Sequence, residues 1–213
     1  MMRPMRIALF MLCLVLAVPG ALAQALDANA LAEATNFNNQ AVALRQQKKY
    51  AEAEELYLKA LAVREKVLGP GHADVAVTLN NLAVLYDAQD RFQQAEEFYK
   101  RSLAIREQAL GPTHLEVAAS LNSLGELYLA QRRFDRAEPV LLRAQAIRSK
   151  ALDEKHADRV ATQRNLWSMY VSTDRFALAE EYQLPGQVTP NEAQRRRMGS
   201  APPSPKGFDP TVR

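Results

Sequence analysis

Residues 72–113 read HADVAVTLNNLAVLYDAQDRFQQAEEFYKRSLAIREQALGPT, and the next 42 residues repeat the pattern as HLEVAASLNSLGELYLAQRRFDRAEPVLLRAQAIRSKALDEK. A shorter copy begins at His156, and residues 30–71 align as an earlier copy, so the three histidines of the chain lie 42 residues apart. Self-similarity at a fixed period of about 20–50 residues is typical of a solenoid, in which no single unit buries its apolar face alone. The chain is therefore predicted to be a repeat protein. Such proteins usually bind other chains and rarely catalyse reactions.

Each copy carries two stripes of apolar residues at helical spacing, separated by a polar turn. The first stripe follows the i, i+3, i+4, i+7 pattern of one buried helix face. Its members are Leu79, Leu82, Ala83 and Tyr86 in the second copy, Leu121, Leu124, Gly125 and Tyr128 in the third, and Phe37, Gln40, Ala41 and Leu44 in the first. The second stripe of the second copy runs through Phe92, Ala95, Tyr99, Ser102 and Leu103. We call the two predicted helices of each copy helix A and helix B.

Helix B is predicted to end at the tripeptide Leu-Gly-Pro, at residues 68–70 and 110–112. Glycine permits a left-handed cap, and proline prevents the helix from continuing. Small residues at Ala41, Ala83 and Gly125 let paired helices approach closely, and large side chains between them fill the remaining space.

This alternation of small and large side chains, with an aromatic residue at the start of helix B, resembles the tetratricopeptide repeat. The usual unit of that repeat has about 34 residues, whereas the unit here has 42. The additional residues amount to about two helical turns, one per helix, which keeps the packing phase. The longer unit, with LNNLA, RFQQAEEFY, RSLAIRE and LGP followed by His, is similar to the kinesin light chain type over residues 30–183. The resemblance implies an all-α fold, a right-handed superhelical solenoid of about four antiparallel helix pairs.

The fourth copy departs from the others at positions that should be small or apolar. Trp167 stands where the other copies have alanine or glycine, Gln163 replaces leucine, and Arg159 replaces valine. An indole does not fit the close helix contact of an interior repeat, and terminal repeats are atypical because one side faces water. We therefore predict that the fourth copy is an end cap in which Trp167 covers the last gap in the core.

Residues 1–23 are predicted to be a secretory signal peptide. Arg3 and Arg6 precede an apolar run over residues 7–18, and an Ala-Leu-Ala site ends at Ala23. A basic start, an apolar stretch of about 7–15 residues and an A-x-A site characterise such a leader, and a bilayer span needs roughly 20 apolar residues. Cleavage is expected after Ala23, with cleavage after Ala25 as the alternative. The mature chain then contains no cysteine, and a periplasmic or secreted location is expected.

The rest of the chain is predicted to be a repeat domain over residues 24–183 and a tail over residues 184–213. The tail is rich in proline and poor in apolar residues, so it is predicted to be disordered. Of the net charge of +3, the leader carries +2 and the tail +3, which leaves the repeat domain at −2. Nucleic acid is therefore not an expected partner, because its binding surface would concentrate positive charge on the folded body. The three consecutive arginines of the tail are interpreted as a solvated charge run, with a contact to an anionic surface as the alternative.

The face of helix A opposite its apolar stripe carries the candidate binding residues. Asparagine is a poor helix former, yet it occurs there in every copy, and its amide both donates and accepts, which suits the backbone of an extended peptide. The predicted partner-binding residues are Asn38, Asn39, Asn80, Asn81, Val84, Asn122, Glu126, Arg164 and Asn165. The kinesin light chain resemblance implies that Asn39, Asn81 and Asn165 contact a cargo peptide in a concave groove. The alternative is that these amides bond the neighbouring repeat and hold the stack together.

The histidines and the charged residues of helix B do not indicate catalysis. Equivalent positions in successive repeats lie roughly 10 Å apart, whereas zinc requires nitrogen ligands at about 2 Å, so the histidines are expected to be structural. Acidic pairs placed in the first turn of helix B, and arginines placed near its end, suit the helix dipole. These are Glu54-Glu55, Glu96-Glu97 and Glu180-Glu181, and Arg64, Arg106 and Arg148. The sequence contains no phosphate-binding loop or nucleophile elbow, and no cofactor or metal is expected.

The sequence thus predicts an exported, non-enzymatic scaffold or adaptor that binds a peptide or protein partner in a groove lined by the A helices. The alternative is a structural or assembly subunit of an envelope complex that docks through its convex face or its end cap.

Overall fold

The structure, a computed structural model, describes residues 5–187 and 189, with side chains from residue 21 onward. All regular elements in this range are helices, and no strand occurs there. They are α1 (Met5–Gln46), α2 (Tyr50–Leu68), α3 (Ala73–Asp87), α4 (Phe92–Leu110), α5 (Leu115–Ala130), α6 (Phe134–Ala151), α7 (Ala157–Ser172) and α8 (Phe176–Glu181). The odd-numbered helices are helix A of successive copies, and the even-numbered helices are helix B.

The chain divides into two compact units, Met1–Ser120 and Leu121–Arg213, with the boundary inside α5. In the first, which we call unit 1, α1 packs against α2, α2 against α3, and α3 against α4. In the second, unit 2, α6 packs against α7 and α7 against α8. Helices that follow one another in sequence are therefore the ones that pack together, as expected of a repeat protein.

The predicted stripes form the core of both units. In unit 1 Leu79, Leu82 and Ala83 are fully buried and Tyr86 is 4% exposed. In unit 2 Leu121, Leu124 and Tyr128 are almost fully buried. The first copy buries Ala41 completely but leaves Gln40 exposed and Phe37 and Leu44 half-buried. The stripe of the first copy is therefore less apolar and less buried than the stripes of the second and third copies.

Gly125 shows why the stripe needs small residues. A Cβ atom at this position would lie 2.5 Å from Leu141 Cδ2 and 2.6 Å from Leu141 Cγ, well inside van der Waals contact. The absence of a side chain thus lets α5 and α6 approach closely, as predicted from the alternation of small and large residues.

The ends of helix B agree with the Leu-Gly-Pro prediction. Gly69 and Gly111 have φ of 86° and 87°, and each donates its N–H to the carbonyl four residues earlier at 3.1 Å. The polar turns from helix A to helix B were predicted, but not that each would place a non-glycine residue in the left-handed region. These residues are Lys48, Asp90, Arg132 and Asp174. In each turn the next N–H bonds the carbonyl five residues earlier at 2.9 Å, which closes helix A.

The fourth copy is shorter than the others, since α8 has only 6 residues. Trp167 is half-buried. Its Nε1 and Oε1 of Gln163 are buried atoms with no hydrogen-bond partner among the described residues. Leu184 begins a short turn closed by Gln187, whose Oε1 accepts from the Leu184 N–H at 2.8 Å. Of the predicted tail, residues 188 and 190–213 lie outside the described residues. So do residues 1–4 of the predicted leader and its side chains up to residue 20.

Candidate partner-binding surface on the A helices

In unit 1 the predicted binding residues divide into bonded and unbonded amides. Asn38 on α1 is 7% exposed, and its Oδ1 accepts a hydrogen bond from Nδ2 of Asn81 on α3 at 3.0 Å. Asn39 is exposed and Asn80 is half-buried, and neither makes a side-chain hydrogen bond with the described residues. Val84, one turn after Asn80 on α3, is half-buried. Two amides therefore tie helix A of the first copy to that of the second, and two remain available.

In unit 2 the equivalent residues form a larger network. Asn122 on α5 is 8% exposed, and its Oδ1 accepts from Nδ2 of Asn165 on α7 at 3.2 Å and from Thr162 Oγ1 at 3.1 Å. Both asparagines also donate from Nδ2 to Glu126 Oε1, at 2.9 Å from Asn122 and 3.0 Å from Asn165. Arg164 is exposed and makes no ion pair with the described residues.

The asparagines thus divide between the two interpretations, hydrogen bonding to the neighbouring repeat and binding of a partner. Asn38, Asn81, Asn122 and Asn165 bond the neighbouring helix A, which is the structural alternative. Asn39 and Asn80 have no such bond, so their amides are free to meet a partner. The role of the whole set in binding stays a prediction.

Three buried arginines link consecutive copies, a role that the sequence analysis missed. Arg64, Arg106 and Arg148 are 6%, 7% and 5% exposed, although charged side chains are rarely buried without partners. Each donates from Nη1 to a hydroxyl group and to a first-turn carbonyl of the next helix A. The partners are Thr78 at 2.7 Å and Asp74 at 3.1 Å for Arg64, Ser120 at 2.6 Å and Glu116 at 3.3 Å for Arg106, and Thr162 and Asp158 for Arg148.

These contacts, which we call the arginine clamps, correct the prediction from the helix dipole. Burial lowers the pKa of all three guanidinium groups, and nearby carboxylates, chiefly Asp74, Glu116 and Asp158 respectively, oppose that shift. Arg64 and Arg106 lie before the last turn of their helices, whereas Arg148 lies in the last turn of α6, where it suits the helix dipole as predicted. A signal was present in the sequence, since a hydroxyl residue follows each clamp arginine 14 positions later.

Glutamates of helix B contribute to a second set of links. In unit 1 Glu54 accepts from the Tyr86 hydroxyl and from Arg91 Nη1, both at 2.8 Å, and the Arg91 guanidinium lies 4.2 Å from the Tyr86 ring centroid. In unit 2 Glu138 accepts from Tyr170 at 3.1 Å and from Arg175 at 2.6 and 2.8 Å. Both sets join helix B of one copy to helix A and the turn of the next.

The placement of the acidic pairs in the first turn was therefore wrong. Because α2 begins at Tyr50, Glu54 lies beyond the first turn, and α4 and α8 have no acidic residue in theirs. Burial, reinforced by the Glu54 carboxylate, raises the pKa of Tyr86 to about 12. The hydrogen bond from Arg175 lowers the pKa of Glu138.

The histidines act as caps at the N-termini of the A helices. Nδ1 of His72 accepts from the Asp74 N–H at 3.1 Å, that of His114 from Glu116 at 3.1 Å, and that of His156 from Asp158 at 3.2 Å. Such a bond satisfies one of the free N–H groups of a helix end. The structural role expected for the histidines is thus observed. Among the side chains that the structure describes, no group of three or more His, Cys, Asp and Glu residues is arranged to hold a metal ion.

Comparison with known proteins places the chain in a family. The tetratricopeptide repeat profile matches residues 30–108, 88–150 and 116–184, which together exceed half of the sequence. The chain belongs to the tetratricopeptide repeat family. The predicted all-α fold built from these repeats is therefore confirmed. Among curated protein sequences, none matched the chain.

Solved structures agree with the kinesin light chain-like type predicted for these repeats. BtubC (BKLC) from P. vanneervenii is similar with a TM-score of 0.66 and 27% identity, over 83% of this chain and 68% of that chain. A Podosopora anserina protein described as a kinesin light chain, with nearly identical tetratricopeptide-like repeats, has a TM-score of 0.59 and 25% identity over 78% and 77% of the two chains. The pilF protein of Pseudomonas aeruginosa, at 18% identity and a TM-score of 0.50 over 78% and 67%, shares the fold.

Within the part of the chain that the structure describes, none of the helices combines the length and the apolar character needed to span a membrane. Tetratricopeptide repeats generally serve as non-catalytic scaffolds that bind proteins or peptides.

Proposed function

We propose that this tetratricopeptide repeat protein is an exported, non-enzymatic adaptor that binds a peptide or protein partner on the exposed surface of its A helices. The family supports a scaffold in general. The binding surface is inferred from the side chains of the A helices, and export is inferred from the predicted leader.

The observation that carries the proposal is the pair of unbonded amides, Asn39 and Asn80. Asparagine in a helix interior costs up to about 0.7 kcal/mol relative to alanine. Asn38 and Asn81 offset that cost with a hydrogen bond, which typically contributes about 0.5–1.5 kcal/mol. Asn39 and Asn80 receive no such compensation from the described residues. An amide beside half-buried Val84 can bond the backbone of an extended peptide while the valine contacts its side chains.

A double substitution tests this assignment. The partner is first captured from the native cell envelope with the full chain and identified by mass spectrometry. Replacing Asn39 and Asn80 with Ala should weaken its binding by about tenfold, the equivalent of two hydrogen bonds. The melting temperature should stay unchanged or rise, because alanine is the better helix former. The matched control, Ala at Asn38 and Asn81, should lower the melting temperature because it removes the bond between α1 and α3. Undiminished binding by the first variant would contradict the proposal.

A second candidate function is an assembly subunit that docks through the first hairpin. An open groove of about 520 Å³ lies between α1 and α2 and is lined by Leu44 and Leu56 among more polar residues. In the second copy the equivalent residues are Tyr86 and Phe98, whose rings stack with centroids 5.2 Å apart. The second copy thus fills with two stacked rings the space that forms an open groove in the first copy. A partner bound here would be insensitive to the Asn39 and Asn80 substitutions.

A further inference from the structure

Glu126 lies at a position of helix A where both copies of unit 1 have valine, Val42 and Val84. Its side chain is exposed on α5, and Oε1 accepts both Nδ2 donors described above, from Asn122 on its own helix and from Asn165 on α7. Asn122 is itself held by the Thr162 hydroxyl. The carboxylate is therefore fixed in place by amides from two helices.

The stacking of the A helices does not require this charge. Asn38 and Asn81 of unit 1 make the equivalent amide bond at 3.0 Å with valine at both corresponding positions. If the only role of Glu126 were to accept amide protons, a neutral acceptor would serve equally well. Comparison of the copies therefore shows that the bond between A helices forms without a carboxylate at this position.

Among the described residues, no cationic side chain donates a hydrogen bond to this carboxylate. Glu126 forms no ion pair with the described residues, and its Oε2 makes no hydrogen bond with them. The Glu126 carboxylate does act on the buried Arg148 guanidinium through space, since it opposes the lowering of the Arg148 pKa by burial. Arg148 nevertheless donates its hydrogen bonds to Thr162 and to the Asp158 carbonyl. Arg164, next to Asn165 in sequence, does not pair with Glu126 either. A fixed, exposed carboxylate with one unused oxygen is thus presented at the surface of unit 2.

We propose that Glu126 is a specificity determinant that binds one lysine or arginine side chain of the partner. The inference rests on the proposed function, and it adds that the segment of the partner that meets unit 2 is basic. Charge-assisted hydrogen bonds from an ammonium or guanidinium group suit the free Oε2. Because Asn122 and Asn165 already hold the carboxylate, little side-chain freedom is lost on binding.

Selection of peptides from a random display library on the purified full chain tests the inference. Glu126→Gln keeps Oε1 as the acceptor for both asparagines and removes the charge, and Glu180→Gln, at an exposed site on α8, is the matched control. The wild type and the control should enrich Lys or Arg at one peptide position, and Glu126→Gln should not. A selected basic peptide should bind Glu126→Gln about fivefold more weakly. With increasing salt concentration, the affinity of the wild type for this peptide should fall more steeply than that of Glu126→Gln.

The outcomes distinguish this inference from the proposed function. Peptides enriched by the wild type without a basic preference, or with one that persists in Glu126→Gln, would overturn the role of Glu126 and leave the adaptor proposal standing. If the wild-type chain selects no peptide at all, the role of Glu126 fails, and the adaptor proposal is then decided by the Asn39 and Asn80 substitutions.

Discussion

A single glutamate of helix B makes several of the hydrogen bonds that connect one repeat to the next. Glu54 receives a tyrosine hydroxyl and an arginine from the next copy, and Glu138 does the same in unit 2. The pattern of the sequence shows only that these residues are charged, and most charged residues are solvated. Their partners lie 32 and 37 positions away, so periodicity within one helix could not reveal them. Tyr86 and Arg91 recur two 42-residue periods later as Tyr170 and Arg175, and this recurrence was the available signal.

At this scale, Tyr86→Phe should destabilise the chain by about 1–2 kcal/mol near neutral pH, because it removes a hydrogen bond to a carboxylate. The pKa of Tyr86 is raised from 10.0 to about 12 in the folded state. Its contribution is therefore complete below pH 10 and is lost as the pH rises towards 12. Denaturant unfolding at pH 8 and pH 11 measures both effects. The variant should lose less stability over this interval than the wild type, whereas Tyr50→Phe, at a site with no such bond, should behave like the wild type. Equal losses in all three would contradict the role of Tyr86.

Individual helices were predicted well where apolar residues determine them. Apolar residues at helical spacing indicate which face of a helix is buried, so the packed faces of α3 and α5 were evident from the sequence. The glycine ends of α2 and α4 were evident from the Leu-Gly-Pro tripeptides. The histidine caps were not recognised as such, because histidine is not among the usual N-cap residues. The arginine clamps were missed because their hydroxyl partners belong to the following helix. Of the candidate site, the sequence identified the helix face, but only the structure distinguished bonded from unbonded amides.

The first helix carries the prediction about export. α1 continues without interruption from Met5 through Ala23 to Gln46, and the side chains of residues 21–29 are exposed. The expected cleavage site therefore lies outside the packed part of unit 1, where a peptidase can reach it. N-terminal sequencing of the exported protein should give Gln24 as the first residue, or Leu26 if cleavage follows Ala25. An intact Met1 on the exported chain would refute the export proposal.

The two units of the whole molecule present different chemistry on the same repeat framework. In unit 1 the A helices carry valines and unbonded amides, and in unit 2 they carry an amide-held carboxylate and an exposed arginine. The framework was predictable because every copy repeats the same apolar spacing. The difference between the units arises from substitutions at surface positions, where packing does not restrict the residue type. Because repeat proteins share one fold, a partner would distinguish this protein from the others by its contacts at these surface positions.

Site-specific photocrosslinking in the native envelope tests the adaptor proposal most directly. A benzophenone amino acid is placed at Asn80 on the A-helix surface, at Leu56 in the groove of the first hairpin, and at Leu58, which is 42% exposed on α2. The proposal predicts a discrete crosslinked partner from position 80 and none from positions 56 and 58. A partner crosslinked from position 56 or 58, with none from position 80, would contradict it.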